Sequence, residues 1–127
     1  KGNYKENDPV LPWNNYAWSK LGGECSVQMY KNSLILRVCM TERPFVHKKA
    51  FANVKLNFIF HEDLAKIFIK LINKKGIINV GGPTKTIYNF AKQYNPKIKK
   101  IFAKKDSVYK FPLKPFMNLS KLKKIIK

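Results

Sequence analysis

The chain of 127 residues predicts an α/β fold built on a parallel sheet, and three stretches point to it. Leu34-Ile35-Leu36-Arg37-Val38 is a short apolar run broken by one charge, and Ile77 to Val80 is a second such run. Runs without polar alternation suit strands covered on both faces, as parallel strands between helical layers are. Between them Leu64, Ile67, Phe68, Leu71 and Ile72 recur at helical spacing, with Lys66, Lys70 and Asn73 on the other side. Strand, helix and strand in that order are the βα alternation of a parallel sheet.

The length gives one domain with a modest core. Hydrophobic residues make up 45% and no low-complexity run or repeat appears, so the chain reads as globular. No apolar run approaches the roughly 18 residues that cross a bilayer, and no signal peptide opens the chain, so no membrane partner and a cytoplasmic location are expected. The first residue is Lys1 in a polar, Gly-containing stretch, which reads as an interior cut through a longer protein.

In order, residues 1 to 13 carry Gly2, Pro9 and Pro12 among Asn and Asp and predict an extended loop. Asn14 or Asn15 then caps a helix to about Tyr30. Its apolar stripe is Ala17, Leu21, Cys25 and Met29; its polar one is Tyr16, Lys20, Glu24 and Gln28. Gly22 and Gly23 cost that helix about 1 kcal/mol each relative to Ala. Either another backbone or a ligand approaches there, or the helix is poorly optimised. A strand is expected over 33 to 40, an excursion without clear period over 41 to 56, and a brief strand over 57 to 60. Glu62 and Asp63 place acids in the first turn of the helix whose apolar positions are Leu64, Ile67, Phe68, Leu71 and Ile72. A strand over 77 to 80, a Gly81-Gly82-Pro83 turn and a helix from about Thr86 to Tyr94 follow. Beyond Pro96 the lysines and Pro112 and Pro115 predict a mostly irregular basic segment. A short closing helix is capped by Ser120, with Leu122, Ile125 and Ile126 on its inner side.

The formal net charge of +19 raises the question of nucleic acid. Of 26 basic residues only Arg37 and Arg43 are Arg, whereas phosphate and base recognition favours the Arg fork. Abundant Lys, Asn and Ile fit A/T-rich coding, so composition argues against a nucleic-acid partner and stays compatible with attraction of an anionic small substrate. Cys25 and Cys39 form no CxxC and His47 and His61 no HxxxH, so free thiols and no metal site are expected.

The chemistry is concentrated in Asn14-Asn15-Tyr16-Ala17-Trp18-Ser19-Lys20-Leu21-Gly22-Gly23-Glu24. On a helix, residues four apart share a face, so Tyr16 and Lys20 stand within reach of one another. A fixed cation beside a phenol favours its phenolate, which makes such a pair suited to proton transfer. The spacing itself is common, and Tyr88 with Lys92 repeats it.

What separates the two pairs is context. Gly2, Tyr4, Glu6, Asp8, Pro12, Asn14, Tyr16, Ser19-Lys20-Leu21 and Gly23-Glu24 resemble the approach and catalytic helix of an extended short-chain dehydrogenase/reductase, most closely the dTDP-4-dehydrorhamnose reductase group. LILRV at 34–38, HEDLA at 61–65, GIINVGGP at 76–83 and MNLSKLKK at 117–124 are similar to later segments of that group, so the resemblance runs nearly the whole length. It implies the C-terminal part of a Rossmann-like parallel sheet with a small substrate-binding portion, the N-terminal dinucleotide-binding half being absent. Residues 1–127 are then a single truncated domain, with the catalytic helix and following strand in 1–40 and substrate-binding and C-terminal sheet elements in 41–127.

By the same resemblance, Tyr16 is the general acid that protonates a keto oxygen, and Lys20 holds the nicotinamide ribose. The cofactor is NADPH or NADH, with Tyr16, Lys20 and Val38 beside it. The substrate is a nucleotide-linked 4-keto sugar, with Met40 and Arg37 beside it. Met40 stands where the reductases carry a substrate-facing Trp, and Arg37 either pairs within the protein or meets a nucleotide phosphate. Glu24 is read as a partner of Lys20 or a structural residue, Asp63 as a helix-start residue, and Tyr88 with Lys92 as surface. No GxGxxG occurs, so the fragment alone is expected to be inactive. A homodimer of the full-length protein is a further implied partner. The alternatives are an NAD-dependent epimerase or dehydratase of the same superfamily, a non-catalytic relative serving as a subunit, and a basic module that binds an anionic partner.

Overall fold

A computed structural model describes residues 1–104 and 112–127. Its centre is the run of β-branched and Leu residues in β1 (Leu34–Thr41), which lies between β4 (Phe58–Phe60) and β5 (Gly76–Val80) in a three-stranded sheet ordered β4-β1-β5. Both pairings are parallel, with Leu34 opposite Gly76, Arg37 opposite Asn79 and Cys39 opposite Phe58. The apolar runs are therefore parallel strands, as their patterning predicts.

Parallel neighbours need crossovers. Helix α2 (His61–Leu71) carries the chain from β4 past β1 to β5 on its other side, with Glu62 and Asp63 in its first turn. Leu71 is fully buried against Ile78, Val80 and Leu122, and Leu34, Leu36, Val38, Leu64 and Ile67 pack around them. The closing helix α4 (Ser120–Ile125) brings Leu122 to this cluster, with Ile125 and Ile126 beside it. Phe68 and Ile72, also expected inside, are exposed. The sheet covers only the stripe through Leu64, Ile67 and Leu71, and a three-stranded sheet is too narrow to take the next row.

A second cluster, Phe45, Ala50, Phe60, Phe90, Ala91 and Ile98, lies among the short elements. Helix α3 (Ile87–Lys92) contributes Phe90 and Ala91, and Thr86 caps it by accepting from the Asn89 N–H. Four strands there were not expected. β2 (Lys49–Phe51) and β3 (Lys55–Leu56) lie in the segment read as an excursion, β6 (Lys85–Thr86) precedes α3, and β7 (Lys99–Ile101) lies in the segment read as irregular. β2 pairs with β7 in parallel and β3 with β6 antiparallel. Two or three residues are too few to show a period, and their partners are distant in sequence. The expected irregular character of residues 105–111 falls outside the described residues. Ser120 is the first residue of α4 and makes no side-chain cap; its N–H instead donates to the Asn118 Oδ1.

Buried polar groups tie the segments. The Asn57 amide, 1% exposed, donates to the Gly82 carbonyl and Thr84 Oγ1, and its Oδ1 accepts from the Met117 N–H. Gly81 and Gly82 pass so close to residues 57 and 58 that a Cβ on either would collide with the Asn57 or Phe58 carbonyl oxygen.

Candidate active site

Helix α1 (Asn15–Gln28) begins where the Asn14 side chain accepts from the Ala17 N–H at 2.8 Å, as an N-cap does. That cap puts Tyr16 in the first turn and Lys20 one turn later on the same face. Lys20 Nζ lies 5.4 Å from the centroid of the Tyr16 ring, and Tyr16 is 68% exposed. The expected meeting of phenol and ammonium is present.

Lys92 Nζ lies 5.8 Å from the Tyr88 ring, nearly the same geometry. The settings differ. Tyr88 is half-buried against the Phe45–Phe90 cluster, and Lys100 also stands over its ring. Tyr16 and Lys20 face open space, so helical spacing creates both pairs and only one is accessible to a ligand on this face.

The expected apolar stripe of α1 is not its inner face. No α1 residue is fully buried; Ala17, Leu21 and Glu24 are the half-buried ones, while Cys25 is exposed and Met29, at the C-cap, protrudes. An i+4 series drifts by about 40° per step, since 3.6 residues make a turn, so by Cys25 and Met29 the stripe has rotated off the sheet. The 17, 21, 24 series stays in phase and brings a carboxylate inward. Nothing approaches Gly22 or Gly23 among the described residues, so no close backbone explains them.

That carboxylate meets Arg37 on β1. Arg37 Nη2 donates to Glu24 Oε1 at 2.6 Å and Nε to Oε2 at 3.0 Å, a two-bond fork with both side chains largely buried. The guanidinium holds the Glu24 carboxyl below its ordinary range, against the opposing effect of burial, with Gln28 adding a hydrogen bond. Arg37 Nη1 donates to the Glu6 carbonyl. The rung partner Asn79 continues the network. Its N–H donates to Glu6 Oε1, and its side-chain amide to the Tyr4 and Asn118 carbonyls. The Arg37 guanidinium is thus engaged with Glu24 and Glu6. Asn79 was unread in the sequence, though a lone amide in the apolar stretch Gly76–Val80 was the signal.

The remaining candidates have surroundings of their own. Val38 packs into the Leu71 cluster under α2 and α4, whereas Arg37 beside it faces α1. Met40 is 56% exposed and lines a hollow of about 330 Å³ with Thr41, Phe45, His47, Lys49 and Phe58. Neither Tyr16 nor Lys20 lines it. Cys39 is free, and burial pushes its thiol up to about 11; Cys25 is free and exposed. Asp63 pairs with Arg43 and Lys66 at the start of α2. Among the described residues no group of His, Cys, Asp and Glu could hold a metal, and no helix is long and apolar enough to cross a membrane.

No protein-family model and no curated protein matches the chain. Solved structures do. A hypothetical dTDP-4-dehydrorhamnose reductase from Sulfolobus tokodaii superposes with a TM-score of 0.80 at 28% identity, over 98% of this chain and 53% of that one. The dTDP-4-dehydrorhamnose reductase of Bacillus anthracis, in complex with NADP, gives 0.76 at 18% identity over 95% of this chain and 52% of that one. A double mutant of dTDP-glucose 4,6-dehydratase from Streptomyces venezuelae, with NAD bound, gives 0.71 at 15% identity over 98% and 48%. The chain spans about half the length of these structures. Over nearly all its residues, the chain has the parallel α/β fold of part of a dTDP-4-dehydrorhamnose reductase, a Rossmann-like fold shared with related sugar-nucleotide dehydratases.

Proposed function

We propose that the chain supplies the proton-donating, substrate-side portion of an NAD(P)H-dependent reductase that acts on a nucleotide-linked 4-keto sugar. The observation that carries this reading is the Tyr16 and Lys20 pair, open to ligand on one face of a helix that is tied to the sheet through Glu24 and Arg37. The fit to a nicotinamide cofactor rests on donor chemistry. Both polar ends are exposed, and among the described residues no carboxylate pairs with Lys20, so hydroxyl and ammonium are free to donate to oxygen acceptors. A ribose diol and a keto oxygen are such acceptors.

The bound cofactor supplies a hydride to the keto carbon. Tyr16 donates its hydroxyl proton to the oxygen that gains negative charge, and solvent returns a proton to the phenolate afterwards. Lys20 would donate to the ribose hydroxyls and so help hold the nicotinamide portion of the cofactor. Met40, in its own hollow near the end of β1, would meet a part of the substrate away from the keto group, and the basic surface attracts the diphosphate. The sequence has no GxGxxG, so a separate dinucleotide-binding half completes the site, and the chain alone turns over little. Within that reading the parent enzyme is a cytoplasmic homodimer that makes deoxysugar precursors of polysaccharide.

The test joins the chain to the dinucleotide-binding half of a related reductase and follows NADPH loss with a dTDP-linked 4-keto sugar. Tyr16→Phe is expected to lower turnover by about 10²–10⁴ with cofactor affinity unchanged. Full turnover by that variant would overturn the role of Tyr16. Net NADPH consumption identifies a reductase, whereas an epimerase returns its hydride and consumes none.

A second reading is favoured by one feature. In the β2/β7 pair Lys49 stands directly opposite Lys99, both exposed, and like charges so placed repel. A polyanion would relieve that repulsion. Tight binding to single-stranded DNA with a steep negative salt slope would favour a basic module over an enzyme.

A further inference from the structure

We infer that Glu24 and Arg37 are positioning residues, whose two-bond pair sets where α1 carries Tyr16 and Lys20; the catalytic consequence rests on the reductase reading above. The inference starts from what α1 lacks. A 14-residue helix is marginal in water unless tertiary packing supports it, and Gly22 and Gly23 weaken this one at its middle. Its inner face offers Ala17 and Leu21, both only half-buried, and no residue of the helix is fully buried. Helices α2 and α4, by contrast, each bury a leucine almost completely. Apolar contact therefore fixes α1 weakly, and a weak apolar contact leaves the helix free to slide or rotate.

The Glu24 carboxylate removes that freedom. Both its oxygens accept from one planar guanidinium, at 2.6 and 3.0 Å, so rotation of α1 about its axis breaks at least one bond. Glu24 lies one turn beyond Lys20 and two turns beyond Tyr16. A displacement at Glu24 is carried along a rigid helix to the ammonium and the phenol.

Arg37 is itself held at its root. It sits in the central strand, opposite Asn79 of β5. Its third nitrogen holds the Glu6 carbonyl, while Asn79 holds the Glu6 carboxylate and the Tyr4 carbonyl. The same rung thus grips both ends of the path to the site: the loop that leads into Asn14 and the helix that leaves it. Asn118 closes the network from the other side, since its carbonyl accepts from the Asn79 amide and its N–H donates to Tyr4. Of the rung's side-chain hydrogen bonds, those to Glu24, Glu6 and Tyr4 go to α1 and its approach loop, and the one to Asn118 goes to the segment before α4.

The test measures amide hydrogen exchange across the chain for the native protein, Glu24→Gln, Arg37→Lys and Arg37→Met. Glu24→Gln keeps the shape and removes the charge, and it is expected to speed exchange of amides 19–28 about tenfold or more, with core amides of α2 and β5 changing less than about threefold. Arg37→Lys keeps the charge but loses the fork and should fall between native and Arg37→Met. The double variant Glu24→Gln/Arg37→Met should cost less than the two singles combined. Unchanged exchange in α1 would overturn the inference, and so would uniform acceleration throughout, which marks a merely structural pair. In the joined enzyme Glu24→Gln should lower kcat with the substrate KM nearly constant; an unchanged kcat beside a loosened helix overturns the catalytic half. If the native joined enzyme shows no turnover, the reductase reading fails, and the exchange series still decides whether the pair positions α1.

Discussion

Lys20 and Glu24 are one turn apart on α1 and meet different surroundings, one open to solvent and the other paired beneath the helix. The consequence is an acid limit on the site. Because Arg37 lowers the Glu24 carboxyl in the folded chain, ionised Glu24 contributes stability above the ordinary carboxylate range, and that contribution is lost as pH falls through its depressed folded value. Protection of the α1 amides, taken as exchange relative to each amide's intrinsic rate at the same pH, should fall on acidification in the native chain more than in Glu24→Gln, which has no such group to protonate. The cysteines offer an independent check. At mildly alkaline pH iodoacetamide should modify exposed Cys25 and spare Cys39, whose buried thiol stays protonated; equal labelling in the folded chain would show that β1 opens readily. The proximity of Tyr16 to Lys20 was legible because the i, i+4 rule needs only a helix, but the same rule gives Tyr88 and Lys92, so it was the surrounding residues and not the spacing that singled out the pair. For Glu24 and Arg37 the sequence left two readings each, and it is their pairing with one another, 13 residues apart on two elements, that selects the structural one; that choice was not legible because nothing local places the two side chains together.

The glycines separate elements that are packed from elements that are not. Gly81→Ala or Gly82→Ala forces a methyl against the carbonyl oxygen of Asn57 or Phe58, in a part of the chain that Asn57 pins on three sides. Each should destabilise by about 1–3 kcal/mol, read as a lower Tm. Gly22→Ala or Gly23→Ala meets nothing and should instead stabilise α1 by up to about 1 kcal/mol. Helices and the long parallel strands were readable because their periods run over enough residues. β2, β3, β6 and β7 were not, since each is defined by a partner rather than by its own pattern. Phe68 and Ile72 mark the opposite error, in which helical periodicity names more apolar positions than a narrow sheet covers.

At the scale of the whole molecule, 26 basic residues face 7 acidic ones, and self-repulsion follows. Thermal unfolding should therefore move to higher temperature as salt rises from about 0.02 to 0.2 M, the range over which the Debye length falls from roughly 20 to below 10 Å. A flat response would mean that bound anions already neutralise the surface. The fold class was legible from two apolar runs, but the order β4-β1-β5 was not, because a central strand is named by its neighbours. That order bears on how the chain reaches its native state. β1 is made early in the sequence and cannot be flanked until both β4 and β5 exist; β2 waits for β7, and Tyr4 pairs beside Met117 near the other end. Almost no strand pairing is local, so loop-closure entropy is lost before pairing gives a return, and folding should take milliseconds to seconds rather than the microseconds of a helical bundle. During that interval β1 presents two bare edges, and the strand beneath the candidate site is the one through which the chain is most exposed to aggregation.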